Sequence, residues 1–198
     1  MSSTDPVDPP ARLGPAERAI LLEVARDSIR NGLQTGRPLR VRVEDYPEIL
    51  REPGASFVTL HRDGRLRGCI GTLEAWRPLV QDVAENAFAA AFRDPRFMPL
   101  RPEELDDLHI HISVLGPPEA LQFDSEEELL AQLRPGRDGL ILQDGGHKGT
   151  FLPSVWEELP DPRQFLTHLK VKAGLPPDHW SDSLRVWRYG TESFDRAT

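Results

Sequence analysis

The chain has 198 residues, 38% of them hydrophobic and 28% charged, with a single cysteine and a formal net charge of −8. That length supports one full hydrophobic core, drawn out into two lobes at most, and not two large domains. The acidic balance argues against a broad nucleic-acid face, which works by neutralising phosphates, and no apolar run is long enough for a membrane-spanning helix.

Residues 1–12 read as a disordered tail, polar and proline-rich, and residues 13–196 as the folded domain. The first ten residues lack the basic start and apolar core of a signal peptide, and one cysteine permits no internal disulfide, so the expected compartment is the cytoplasm. From Pro15 the spacing of Ile20, Leu21, Val24, Ala25 and Ile29 predicts a helix, stopping at Asn31-Gly32. Leu39 to Val43 alternates like a strand. Phe57–His61 and Arg65–Thr72, joined by Asp63-Gly64, form the clearest hairpin signal, because glycine accepts positive φ at no steric cost.

Pro78 opens a long helix with Leu79, Val80, Val83, Ala84, Ala87, Phe88 and Ala91 on its apolar face, ended by Asp94-Pro95. A short acidic helix follows over Pro102 to Leu108, then a strand from His109 to Leu115 with Ile110, Ile112 and Val114 on one face. Ser125 caps a short helix to Leu133, with Glu128 at the capping-box position. Gly139–Leu142 and Thr150–Leu152 flank Asp144-Gly145-Gly146 as a second hairpin. Helices near Ser154–Leu159 and Pro162–Ala173 and a closing strand, Leu184 to Tyr189, complete the pattern. Hairpins without a regular βαβ repeat predict an α+β fold with mostly antiparallel sheet.

Cys69 lies in Leu66-Arg67-Gly68-Cys69-Ile70-Gly71-Thr72, on the second strand of the first hairpin. Strand alternation places Arg67, Cys69 and Gly71 on one face, where the arginine would stabilise a thiolate and the glycines leave room for a ligand or another backbone. The plainer reading is a small buried cysteine filling a gap in the core. His109 and His111 stand two apart on a strand face, but a metal needs a third ligand from His61, His147 or Asp94 and no closed spacing supplies one, so no metal or cofactor is expected. Asp94-Pro95-Arg96-Phe97 fixes the exit of the long helix and offers Arg96 to an anion. Gly145 to Thr150 leads into a strand and lacks the phosphate-loop pattern. Trp76, Trp156, Trp180 and Trp187 are too dispersed to form a stacking ladder.

Taken in order, these segments resemble the AMMECR domain family, whose prokaryotic form is called AmmeMemoRadiSam system protein A. The resemblance rests on Arg67-Gly68-Cys69-Ile70-Gly71 after Phe57-Val58-Thr59-Leu60. It continues through Ala90 to Phe97, Ile112 to Leu115, Asp138-Gly139-Leu140, Gly149 to Pro153 and Lys172 to Leu175. It implies a two-lobed α+β fold with the cysteine motif beside a cleft, and a system shared with a Memo-like protein and a radical SAM enzyme. The implied role is binding of a small molecule or a partner segment through Arg67, Gly68, Gly71, Thr72, Asp94 and Arg96. The rivals are a thiol-dependent transferase or hydrolase with Cys69 as nucleophile, and an RNA-associated factor disfavoured by the charge. Val171 stands where some relatives carry a second cysteine, which removes a dithiol mechanism. His109 and His111 stand where relatives often carry other polar residues.

Overall fold

A computed structural model describes residues 12–197. The tail expected over residues 1–12 therefore lies, apart from Arg12, outside the described residues. In chain order the elements are α1 (Pro15–Thr35), α2 (Glu48–Arg51), β1 (Ser56–Arg62), β2 (Arg65–Gly71), α3 (Leu79–Phe92), β3 (Leu108–Leu115), β4 (Glu119–Ala120), α4 (Glu126–Gln132), β5 (Gly139–Asp144), β6 (His147–Phe151), α5 (Pro162–Lys172), β7 (Arg185–Tyr189) and β8 (Thr191–Ala197). The fold is α+β with antiparallel pairing and flanking helices. It divides into two compact units, one running through Val114 and resuming at Glu192, the other Leu115–Thr191. No helix among the described residues is long and apolar enough to cross a membrane.

The first unit holds a four-stranded sheet ordered β2-β1-β3-β8. Alternation buries Ser56, Val58 and Leu60 of β1 and Ile110 and Ile112 of β3 in a core shared with Val80, Val83, Ala84 and Ala87 of α3 and Leu21, Ala25 and Ile29 of α1. The hairpin turn places Asp63 (φ 52°) and Gly64 (φ 72°) in the left-handed region, as Asp-Gly allows. Helix α1 runs past the predicted stop at Gly32. A Cβ there would lie 2.3 Å from the Phe92 ring, so this glycine is a contact point with α3, while Gly36 (φ 73°) is the left-handed cap. Leu39 and Val41 turn inward against the core as their alternation suggests, yet the segment joins no ladder and is not the predicted strand. Arg12 ties the start of this unit to its end through its amide and Glu192.

The second unit carries a sheet ordered β4-β7-β5-β6. Leu140, Leu142 and Val186 pack against Leu129 of α4 and Phe165, Leu166 and Leu169 of α5. Trp156 stacks on Phe165 (3.7 Å, 7°), and its indole N–H donates to the Asp138 carbonyl at 2.8 Å. Ser125 caps α4 by accepting from the Glu128 amide at 3.2 Å, as predicted, while the Glu128 carboxylate reaches back to the Asp124 amide at 2.8 Å. The Pro102 and Pro153 segments, expected as helices, are short 3-10 turns. The predicted closing strand, β7, does not close the chain. It is followed by β8, which joins the first unit's sheet and contributes Phe194 to that unit's core.

Candidate functional site

Strand β2 forms an edge of the first sheet. The Cys69 amide points away from β1 and donates to Asp94 Oδ2 at 3.0 Å. Cys69 and Thr59 are therefore a pair without mutual backbone bonds, the arrangement that brings facing side chains closest. Thr59 Oγ1 and Cys69 Sγ share a hydrogen bond at 3.3 Å, and the half-buried thiol is free of any disulfide. Thr59 stands in turn opposite His111 on β3, so Cys69, Thr59 and His111 form a row across three strands. Two strand spacings separate thiol from imidazole, roughly 10 Å at the backbone, with the threonine between them. Burial lowers the His111 pKa, and His61 and His109 act in the same direction against the opposing pull of Asp195.

The bulge at Leu60/His61 upsets the expected alternation around the motif. Leu66 stands opposite His61, and Arg67 leaves the regular pairing. The Arg67 guanidinium donates to both oxygens of the buried Glu104, each at 3.1 Å, and to the Met98 carbonyl at 2.8 Å. Glu104 is held below its ordinary pKa chiefly by these bonds, aided by the Arg101 amide and opposed by burial. Nε and Nη2 of Arg67 are thus spent on the segment after α3, while its buried Nη1 has no hydrogen-bond partner among the described residues. Arg96 is held above its ordinary pKa chiefly by its bonds to the Asp94 carboxylate, with burial opposing and Cys69 adding the smallest contribution.

Asp94 occupies the edge position itself. Its carboxylate accepts from the Cys69 amide, from the Arg96 amide at 3.1 Å and from Arg96 Nε and Nη2 at 3.0 and 2.8 Å. The Arg96 bonds hold the carboxyl well below its ordinary value, outweighing the opposing effect of burial. The glycines do not open space beside the thiol. A Cβ on Gly68 would lie 2.0 Å from the Ala90 carbonyl oxygen of α3, and one on Gly71 would meet the Phe57 ring at 2.2 Å. Gly68 is where a helix backbone crosses the strand; Gly71 makes room for an aromatic ring.

Thr72 belongs to a buried polar knot that the sequence does not advertise. Asp82 is fully buried and accepts from the Ser56 amide and hydroxyl (2.9 and 2.7 Å), Thr72 Oγ1 (2.8 Å), Arg77 Nε (2.8 Å) and Asn86 Nδ2 (3.0 Å). Asn86 also donates to Thr72 Oγ1 at 2.9 Å. Five donors on one carboxylate satisfy a charge that would otherwise be costly to bury, and they fix the start of the β2–α3 link. Asp82 at the i position and Asn86 at i+4 share a helix face, a pattern readable in sequence, but Ser56 and Thr72 join it only through the hairpin.

The remaining predicted candidates go elsewhere. His109 Nε2 pairs with Asp195 Oδ2 at 2.7 Å, and the Ser113 hydroxyl contacts His111 Nε2 at 3.4 Å and Ser193 Oγ at 2.9 Å. Exposed His147 begins β6 in the second unit. Among the described residues no three His, Cys, Asp or Glu side chains converge as a metal site requires.

The arrangement is a short edge strand, braced by a carboxylate, whose glycines admit a helix backbone on one side and a ring on the other. The AMMECR1 family profile matches residues 22–194. A protein of Methanothermobacter thermautotrophicus is 41% identical over 186 residues, covering 93% of this chain and 96% of its own length. A Methanocaldococcus jannaschii protein is 39% identical, covering 90% of each chain. The crystal structure of a Pyrococcus horikoshii protein superposes with a TM-score of 0.83 at 38% identity, over 89% of each chain. The chain belongs to the AMMECR1 family.

Proposed function

We propose that the protein is a cytoplasmic member of a three-part system with a Memo-like protein and a radical SAM enzyme, and that the apolar surface flanking β2 binds a partner segment. The observation that supports this reading is the distribution of exposed apolar side chains. Among the described residues, four large hydrophobics are exposed, and three of them flank the motif: Leu66 on β2 (39% exposed), Trp76 on the β2–α3 link (66%) and Met98 on the segment after α3 (80%). Arg67 reaches the Met98 carbonyl, and Arg77 lies 4.8 Å from the Trp76 ring while anchored on Asp82. Exposed apolar groups on braced backbone suit recognition of another surface, because little ordering entropy is lost on contact.

The test is co-purification of the full chain with both candidate partners, followed by affinity measurement. Trp76→Glu and Met98→Glu should each weaken the complex by about tenfold or more, as burying a charge in an apolar contact demands. Val171→Glu, which alters the fourth exposed hydrophobic on α5, should not. Equal retention of all three variants would overturn the reading. A second reading, Cys69 as nucleophile, draws on the Cys69–Thr59–His111 row. It requires Cys69→Ser to abolish turnover in the reconstituted system, whereas a binding surface keeps most of it.

A further inference from the structure

The second unit contains a groove of about 550 Å³, within the range of small-ligand sites, and every residue lining it belongs to that unit. Its wall is aromatic: the Phe123 and Trp180 rings meet at 5.5 Å and 55°, and Trp187 of β7 extends the surface. Trp180 is held in place. The ammonium of Lys170, fully buried and paired with Glu126 at 3.5 Å, stands 5.7 Å from the indole centroid. The loop carrying Trp180 is pinned on both sides, since His179, Ser181 and Ser183 all bond to the Asp144 carboxylate at 2.6 Å.

Three charged side chains line the same groove: Asp124, Asp182 and Arg185. All three are exposed, and none has a side-chain hydrogen bond or ion pair with another described residue. Nearby carboxylates behave differently: Glu126, Glu127, Asp138 and Asp144 are all engaged by cations or hydroxyls. Two unpaired carboxylates and one unpaired guanidinium around an aromatic wall complement a ligand with an ammonium, a carboxylate and an apolar body between them.

We propose that this groove binds a free short peptide of two or three apolar residues. Asp124 and Asp182 receive its ammonium, Arg185 its carboxylate, and Phe123, Trp180 and Trp187 its side chains. The rigid loop means that binding orders the ligand rather than the protein.

The test uses the full chain, with tryptophan emission and calorimetry as readouts and phenylalanyl-leucine as the probe. N-acetyl-phenylalanyl-leucine, phenylalanyl-leucinamide and free phenylalanine are its comparisons. The dipeptide should bind saturably, and each blocked form and the single amino acid should bind at least about tenfold more weakly, the effect of one lost charge-assisted bond. Arg185→Gln should weaken the dipeptide to the level of the amide without affecting the amide. Asp182→Asn should reduce the discrimination against the acetylated form. Both positions are exposed, and circular dichroism checks that the fold is kept. No saturable binding up to about 10 mM, equal binding of all four probes, dipeptide binding no tighter than free phenylalanine, or variants that bind like the parent would each overturn the proposal.

Discussion

Gly68→Ala tests the claim that α3 presses directly on the motif strand. The added methyl would sit 2.0 Å from the Ala90 carbonyl oxygen and 2.9 Å from its carbon, and both are backbone atoms that no rotamer change can move. Strand β2 must shift away from α3, or α3 from the sheet, loosening the packing of Leu60 and Val83, both fully buried. Overpacking of this kind costs about 1–3 kcal/mol, and an immovable neighbour places the expected value near 3 kcal/mol. For a chain of this size that corresponds to a fall in Tm of roughly 6–12 °C. Thermal melting followed by far-ultraviolet circular dichroism suits the measurement, because α1 and α3, the two longest helices, both belong to the first unit. Gly146→Ala is the control: nothing lies within 4 Å of its Cβ position, so stability should stay within about 0.5 kcal/mol of the parent. A Gly68→Ala protein as stable as that control would refute the close approach.

Asp94 is held below its ordinary pKa of 3.8 in the folded state, so its contribution is complete above that value and is lost as the pH falls through the range beneath it. The stability difference between the parent and Asp94→Asn, read from urea midpoints, should therefore be larger at about pH 6 than at about pH 3; an unchanged difference would contradict the pairing with Arg96. Iodoacetamide should label Cys69 in the native protein more slowly than in urea, and complete native protection would make it a core residue. Burial pushes the Tyr189 phenol up to about 12, against the opposing bond to Thr150, so of the two tyrosines one should ionise only near that pH. Because the folded state keeps the proton longer, stability should fall as the pH rises above 10, and a spectrophotometric titration completed by about pH 11 would contradict the burial.

The hairpin carrying Cys69 was legible because Asp63-Gly64 fixes a turn locally. Its register was not. A regular two-residue turn places Thr59 opposite Gly68; the bulge advances the pairing by one residue and sets Thr59 against Cys69. The partners of Arg67 and Thr72 were hidden for a related reason, since Glu104 and Asp82 reach them across the tertiary structure rather than along one element. Strand β8 carries too weak a periodic signal to read from sequence, since among its described side chains Phe194 is the single buried hydrophobic. In α1 the two glycines exchange roles: Gly32 resembles a stop but is a contact, and Gly36 supplies the stop. Composition ranks neither, because the distinction depends on the rings of Phe88 and Phe92.

The order of the strands has a consequence for how the chain matures on the ribosome. The first unit's sheet is completed by β8, which follows the second unit in the chain, so the residues that complete it emerge only after that unit. The second unit is synthesised in the interval, and the Gly116 amide, bonded to the Gly190 carbonyl at 2.8 Å, joins its two ends. At about 5–20 residues per second the edge of β3 waits several seconds for its neighbour. During that wait the exposed edge is a site for pairing with another nascent chain, and rapid folding of the inserted unit is what brings β8 to it first.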